Sequence, residues 1–460
     1  MSAVLFGQGY SLRLDPKLLA ARQPYAPLGT LYAAAAARAA GHEVALHDSM
    51  LASSAREWED ALGRVRPRHA VLYEDSFNYL AKMSLQRARE SAVSMIGAAR
   101  RRGVTVLAAG PDASACAEPY LEAGAAAVIA GEGEAALVEA LDVLDSRTAS
   151  TLAEVRGLIL REGRTPPRPP LRDLDGLPSP AWDLVDVEAY RRVWKAQHGY
   201  FSMNALTTRG CPYRCNWCAT PAQGRTYATR SAASVAQELA RVKRLYAPDH
   251  ITFVDDIFGL KPGWVAELAD QLSAHGAVIP FKCLSRADRL DDETVAALAR
   301  AGCRTVWLGA ESGSQKILDA MDKGTRVEDI RAASRRLRAH GIEVGFFLLF
   351  GYPGEGWEEI DETRALVKEC QPDDIGVSVA YPLPGTRFHD TVAAQLGAQR
   401  RWVDSADLAM MYEGPFTTAF YRALHRVVHA ELRQPRRRGW RRWLGAAALP
   451  VARWHLRSLA

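Results

Sequence analysis

Between residues 203 and about 390 the chain repeats one pattern six times: a short apolar run, then a stretch with helical periodicity. The runs fall at 203–208, 250–255, 281–285, 305–310, 344–350 and 375–380, and the helical stretches at 231–246, 262–275, 291–301, 314–321 with 327–340, and 356–370. A short apolar run bounded by turn residues reads as a buried strand. Strands that alternate with helices can pair only in parallel, because each helix carries the chain back to the same end. The expectation for residues 201–395 is a partial (β/α)6 barrel, whose chemistry belongs at the carboxyl ends of the strands.

The first of those ends carries Cys211-Pro-Tyr-Arg-Cys215-Asn-Trp-Cys218, a C-x3-C-x2-C spacing after a turn at Arg209-Gly210. Three thiolates do not close a four-coordinate zinc site, whereas a cubane iron–sulfur cluster on three cysteines keeps one iron open to a small ligand. A zinc knuckle with a distant fourth ligand stays open, although no nearby C-x2-C or His pair completes one. The later ends are also polar: Phe253-Val-Asp-Asp-Ile-Phe258, Ser285-Arg-Ala-Asp288, Gly309-Ala-Glu-Ser-Gly313, Phe350-Gly-Tyr-Pro-Gly354 and Tyr381-Pro-Leu-Pro-Gly-Thr386. Each alone reads equally well as turn chemistry or a surface ion pair.

Taken together, with an aromatic residue directly before the third cysteine, these residues resemble the radical SAM superfamily. The resemblance implies a [4Fe-4S] cluster on Cys211, Cys215 and Cys218 whose open iron chelates S-adenosyl-L-methionine (SAM). An electron from the cluster then splits the sulfonium and yields a 5′-deoxyadenosyl radical. It further implies that Asp255 or Asp256 receives the SAM ammonium; adjacent strand residues point to opposite faces, so only one of them can face the site. Arg286, beside Ser285, meets the SAM carboxylate. Glu311 and Ser312 suit ribose or methionyl groups, Gly351 and Tyr381 edge the adenine, and Trp217 packs near cluster or adenine, with a core position as its alternative. An electron donor such as a flavodoxin or ferredoxin is implied as a partner.

Residues 1–146 show the same alternation, with apolar runs at 3–6, 43–46, 70–73, 104–108 and 126–130 and helical patterns at 28–40, 56–65, 80–102, 115–123 and 134–144. This predicts a doubly wound, flavodoxin-like parallel sheet whose ligand end comprises Gly7-Gln-Gly-Tyr10, Glu74-Asp-Ser76, Ala109-Gly-Pro-Asp112 and Gly131-Glu-Gly-Glu134. No G-x-G-x-x-G follows a strand, so a dinucleotide is poorly supported. Such a domain directly before a C-x3-C-x2-C domain resembles the cobalamin-binding radical SAM enzymes, the group containing class B methyltransferases and anaerobic magnesium-protoporphyrin ester cyclases. The resemblance implies cobalamin contacts at Tyr10, Tyr25, Leu28, Gly29, Glu74, Ser76, Gly110, Pro111, Gly131, Glu132 and Gly133. Other cobalamin domains carry D-x-H-x-x-G after the first strand; here Gly9-Tyr-Ser-Leu-Arg-Leu-Asp-Pro16 has no His. The implied corrinoid therefore has no protein imidazole on cobalt, and loss of cobalamin altogether stays open.

Residues 147–200, with Thr165-Pro-Pro-Arg-Pro-Pro170, are expected to form an extended strap packed through Leu177, Trp182 and Leu184. Residues 396–460 are read as a helical, basic extension, with 400–433 helical. Charge concentrates there: residues 422–460 hold ten Arg and one Glu, so +9 of charge sits in the tail against +5 for the whole chain. Arg436, Arg437, Arg438, Arg441 and Arg442 beside Trp440, Trp443 and Trp454 suit contact with an anionic membrane surface, with a solvated basic tail as the equal alternative. No nucleic-acid-binding module surrounds them. Scattered cysteines, no basic-plus-apolar leader and no long apolar run give an expected cytoplasmic location, with peripheral contact at the inner membrane face.

The expected activity is methylation of an unactivated carbon on a small or lipid-like substrate, through the deoxyadenosyl radical and methylcobalamin. An oxidative cyclase or rearrangement enzyme is the alternative, and a non-catalytic iron–sulfur protein is the alternative of another class.

Overall fold

The structure is a computed structural model. It describes residues 3–75, 77, 82–218, 226–434 and 440–459, without the side chains of 440–448. The chain divides into two compact units: residues 1–212, 219–256 and 401–407 form the first, and 213–218, 257–400 and 408–460 the second.

In the first unit, β1 (Val4–Gly7), β2 (Val44–His47), β3 (His69–Tyr73), β4 (Thr105–Ala109) and β5 (Ala125–Ile129) pair in parallel in the order β2-β1-β3-β4-β5. Side chains alternate between two cores, as a pleated strand requires. Leu5, Ala70, Leu72, Val106 and Ala108 face one layer with Trp58 and Ile96. Val4, Phe6, Val71, Tyr73, Leu107 and Ala109 face the other with Ala33 and Leu137. Burial on both faces is why the strands read as unbroken apolar runs. The order reverses between β1 and β3, and a doubly wound sheet opens its ligand crevice at that point.

The region 147–200 departs from the expected strap. β6 (Leu158–Leu160) and β7 (Gly163–Arg164) extend the first sheet in antiparallel fashion. Val187–His198 is a helix, capped by Asp186 onto Ala189 N at 3.0 Å and ended by Gly199 at φ +78°. Proline density stops at Pro180, and Asp186 then supplies a helix start. The intervening segment is extended as expected, with Trp182 buried and Leu184 against the core. The expected 115–123 helix is two pieces, Pro111–Ala115 and Glu118–Ala123. Of the helix expected over 80–102, Lys82 is helical, 83–85 interrupt it, and Gln86–Arg101 is the main helix; 78–81 lie outside the described residues.

β8 (Ser202–Ala205) and β11 (His250–Phe253) also belong to the first unit and pair in parallel. Thr208 leaves that line: β9 (Thr208–Arg209) pairs antiparallel with β10 (Ala228–Thr229). In the second unit β12 (Phe281–Ser285), β13 (Cys303–Glu311), β14 (Glu343–Phe350) and β15 (Asp374–Val379) pair in parallel. Within each unit these strands keep sequential order, β11-β8 in the first and β15-β14-β13-β12 in the second, as in an open half-barrel.

Residues 396–417 are not helical; the helix expected over 400–433 spans only Thr418–Arg433. Gly414 and Pro415 interrupt it, and Thr417 caps its start onto Phe420 N. Residues 401–407 pack in the first unit, where Trp402 O accepts from Gln86 N at 2.9 Å and Ser405 Oγ donates to Asp15 at 2.9 Å. Their partners lie more than 300 positions away in sequence, beyond the reach of periodicity.

Candidate functional site

The carboxyl ends of β1, β3, β4 and β5 gather most of the residues proposed for cobalamin. Glu74 accepts backbone N–H groups of Gly9 and Tyr10, and burial pushes its carboxyl up to about 7. Asp75 accepts from Phe77, Gly29 and Leu28, and burial raises it to about 6. A residue larger than glycine fits poorly at these ends. A Cβ at Gly110, φ +126°, would lie 2.5 Å from Glu74 Cβ; at Gly29, 3.0 Å from Asp75 Oδ1; at Gly133, 2.7 Å from Tyr73 Oη. Gly131, at φ +75°, instead faces open space. Tyr10 and Leu28 are buried, whereas Tyr25, Pro111 and Glu132 are part-exposed. Glu132 spends one oxygen on Leu171 N at 2.5 Å. Ser76 lies outside the described residues. Beside this end lies an open cleft of about 310 Å³ lined by Gly9, Ser11, His47, Ser49, Trp58 and Ser94 among others.

Asp255 has a different occupation from the one expected. Its oxygens accept Thr207 N at 2.7 Å, Thr207 Oγ1 at 3.0 Å, Thr208 N at 2.5 Å and Thr208 Oγ1 at 3.0 Å. Four internal donors leave little capacity for a SAM ammonium, and the carboxylate instead turns the chain out of β8 toward the cysteine loop. Burial still raises its pKa to about 6. Asp256, part-exposed, pairs with Lys82. Arg209, two residues before Cys211, is buried against Glu134 with 2.7 Å between charged atoms. Neither Arg209 nor Glu134 stood out in the sequence as functional, since their contact spans 75 positions.

In the second unit the cysteine loop is pinned through Asn216. Its N–H donates to Met321 O at 3.0 Å, its O accepts from Phe388 N at 2.9 Å, and its side-chain amide donates to Ala320 O at 2.8 Å. Tyr352 Oη donates to Asn216 Oδ1 at 2.7 Å. Trp217 packs beside Ile317, Met321, Tyr352 and Phe388, the core alternative for this residue. Lys323, buried, pairs with Glu311 at 2.9 Å and lies 6.0 Å from the Trp217 ring centre. Burial lowers its affinity for a proton, but the charges of Glu311 and Cys215 outweigh this and hold it raised. Cys211, Cys215 and Cys218 are all part-exposed. Among the described residues no three His, Cys, Asp or Glu side chains are gathered tightly enough to hold a single metal ion.

Arg286 is braced rather than extended toward solvent. Its Nε donates to Asp288 at 2.9 Å, its Nη2 to Lys323 O at 3.0 Å and Thr325 Oγ1 at 2.9 Å, and it stacks 3.7 Å from the Tyr213 ring centre. The bidentate grip on a SAM carboxylate expected from the sequence is thus largely spent within the chain. Glu311 holds φ +58°, a left-handed conformation that costs a non-glycine residue about 1–3 kcal/mol and concentrates at functional sites. Ser312 shares a hydrogen bond with Thr363 at 3.1 Å, and Ser285 is buried at the end of β12. Gly351, φ +80°, donates to Glu355 at 2.5 Å and accepts from Tyr412 Oη. Tyr381 is buried just beyond β15.

Comparison with known proteins assigns part of the chain. The Radical SAM superfamily model matches residues 206–367. That stretch is a radical SAM domain. An uncharacterized methyltransferase of Pyrococcus horikoshii is 29% identical over 58% of this chain and 58% of its own length. The anaerobic magnesium-protoporphyrin IX monomethyl ester cyclase of Rubrivivax gelatinosus is 26% identical over 56% and 47%. The chain thus spans only about half the length of these curated relatives. The hopanoid C-3 methylase of Methylococcus capsulatus is 28% identical over 80% of this chain and 69% of that protein. Among solved structures, the radical SAM methyltransferase TsrM of Kitasatospora setae, with cobalamin and a [4Fe-4S] cluster bound, superposes with a TM-score of 0.70 at 21% identity, covering 86% and 75%. The cobalamin-dependent radical enzyme OxsB gives 0.72 at 17%, covering 94% and 67%. At such identities the likeness carries the fold: a flavodoxin-like sheet followed by a half-barrel.

Proposed function

We propose that this chain is a cobalamin-dependent radical SAM methyltransferase acting on an unactivated carbon of a hydrophobic, lipid-like substrate. The supporting observation is the three-cysteine loop at the first strand end of a radical SAM domain, preceded by a sheet whose strand ends are lined with glycine. Cys211, Cys215 and Cys218 would hold a [4Fe-4S] cluster, which supplies the electron that splits SAM, while cobalamin supplies the methyl group. Lys323, paired with Glu311, sits beside the loop, and Asn216 and Tyr352 hold the loop's bend. Around SAM, backbone groups at Gly351 and Tyr381 and the side chains of Ser285 and Ser312 would contribute, with Glu311 and Arg286 shaping the second unit's strand ends through the partners they already hold, while Asp255 and Asp256 stay with their own partners in the first unit. Gly29, Gly110, Gly131 and Gly133, with Tyr10, Tyr25, Leu28, Glu74, Pro111 and Glu132, would receive the corrinoid, and no His of residues 9–16 would reach cobalt. A low-potential donor of the flavodoxin or ferredoxin kind would reduce the cluster.

The likeness to a hopanoid methylase, named for a lipid, and the basic tail together favour a hydrophobic substrate. In the tail, Val451 and Trp454 are 66% and 72% exposed. Arg436, Arg437 and Arg438 lie outside the described residues, as do the side chains of Trp440, Arg441, Arg442 and Trp443. Among the described residues no helix is long and apolar enough to cross a membrane. Each Arg near an anionic surface is worth about 1 kcal/mol, so a peripheral hold is within reach. Vesicle co-sedimentation of the full chain and of a version ending at Leu432 tests it: equal sedimentation on anionic lipid rejects the membrane role.

The activity test is anaerobic incubation with cobalamin, SAM, reductant and candidate lipids, followed by product mass. A gain of one methylene supports methyl transfer. Oxidation or rearrangement without a methylene gain would move the chain to cyclase-like chemistry, and no SAM cleavage would leave an iron–sulfur binding protein.

A further inference from the structure

Two residues tie the Gly131–Glu134 turn to the strand that leads into Cys211. Both oxygens of Glu134, the first residue of the helix Glu134–Leu144, accept from Arg209 Nη1 and Nη2 at 3.1 and 2.7 Å. The two side chains are 3% and 9% exposed. Tyr32 and Phe77 flank the guanidinium, with ring centres 5.5 and 5.1 Å away. Gly210, at φ +78°, is the single residue between Arg209 and Cys211. Upstream, the turn is pressed onto β3 by the close approach of Gly133 to Tyr73 and held by the bond from Leu171 N to Glu132.

A buried ion pair is weak evidence of stabilisation, because apolar residues of the same volume often do as well; its best-attested use is to fix register. This pair also stops short of full satisfaction. Among the described residues, Arg209 Nε and the nearby Tyr32 Oη are both buried without a hydrogen-bond partner. A purely structural knot would be expected to close those donors. The pair instead joins the turn that borders the ligand end of the first sheet to the residue preceding the cluster loop.

We propose that Arg209 and Glu134 are positioning residues that transmit occupancy of the flavodoxin-like strand ends to Cys211, so that corrinoid binding orders the cluster loop. The proposal rests on the corrinoid reading given above. An occupant that fixes Gly131–Gly133 fixes Glu134, and Glu134 fixes Arg209 and the approach to Cys211. Coupling of this kind is reciprocal: a preassembled cluster tightens corrinoid binding by the same factor.

The test uses the full chain, iron-free and anaerobic, with hydroxocobalamin as the probe. Timed labelling with N-ethylmaleimide, read peptide by peptide, gives the rate at Cys211 while the visible spectrum reports corrinoid binding. In the natural protein, saturating hydroxocobalamin should slow Cys211 labelling about fivefold or more, the lower end of ordinary site-to-site coupling. Arg209→Met with Glu134→Gln removes both charges together; it should still bind the corrinoid yet lose the protection. Arg209→Lys, which keeps charge without the two-bond fit, should give intermediate protection, and it serves if the neutral pair fails to fold. Corrinoid binding with unchanged labelling in the natural protein would overturn the coupling and leave the cofactor reading intact. Full protection retained in the neutral pair would also overturn it, showing that the corrinoid shields Cys211 directly. Absence of any corrinoid binding by the natural protein would remove the cofactor reading and the coupling with it.

Discussion

Replacing Glu355 with Gln should make the chain more stable at alkaline pH while changing little near pH 5. Glu355 is 2% exposed, and among the described residues its Oε2 accepts the Gly351 N–H while its Oε1 is buried without a partner. Burial, with Glu359 adding to it, pushes the carboxyl up to about 8 against an ordinary 4.5. The folded chain therefore holds a proton that the unfolded chain releases near pH 4.5. A raised folded pKa gives stability that is complete below the unfolded value and falls as pH rises through the window from about 4.5 to 8. Each pH unit is about 1.36 kcal/mol, so the natural protein gives up at most about 5 kcal/mol across that window through this one group. Gln keeps an acceptor for Gly351 and has no proton to lose. Urea unfolding followed by tryptophan fluorescence from pH 5 to 9, on both proteins, reads the difference. The gap should open steadily with pH and level off above about 8. Parallel curves at all pH values would mean that the carboxyl is not held protonated, and the reasoning from burial would fail.

Asp255→Ala should lower stability by about 2–6 kcal/mol, since the Thr207 and Thr208 N–H groups lose their acceptor and each buried unpaired group costs about 1–3 kcal/mol; a denaturation midpoint within error of the natural protein would contradict this. Tyr352→Phe removes the bonds to Asn216 Oδ1 and Ala320 O and should cost about 1 kcal/mol, with faster loss of iron from the reconstituted protein as the more telling readout. Gly110→Ala forces a side chain against Glu74 at a positive φ, a strain of about 1–3 kcal/mol, and should weaken hydroxocobalamin binding measured by spectral titration.

Local pattern revealed the strands and most helices because each buried strand is covered on both faces and each helix is amphipathic. Helices at 56–65 and 134–144 and the strand at 281–285 fall where periodicity placed them. What escaped was set by distant partners. Nothing local says that Thr208 leaves the first barrel strand to pair with Thr229, or that 401–407 belongs with Asp15 and Gln86. Among functional candidates, the cysteine loop and the glycine turns were legible as motifs. The commitments of Arg286 to Asp288 and Thr325, and of Asp255 to two threonines, were not, because motif position says where a charged group sits and not which neighbour takes it. One signal was available for Arg209: a charged residue between an apolar strand and a cluster loop has to be paired somewhere if it is buried.

The most direct measurement is 5′-deoxyadenosine formed per cluster after anaerobic reconstitution with iron, sulfide and hydroxocobalamin, with SAM and dithionite added, beside a variant carrying Cys211→Ala, Cys215→Ala and Cys218→Ala. The natural protein should bind about four irons per chain, the content of one [4Fe-4S] cluster, and release deoxyadenosine, while the triple variant should do neither and keep its far-ultraviolet dichroism. Deoxyadenosine release by the triple variant, or a reconstituted natural protein that leaves SAM intact, would contradict the assignment of these three cysteines as the reactive centre.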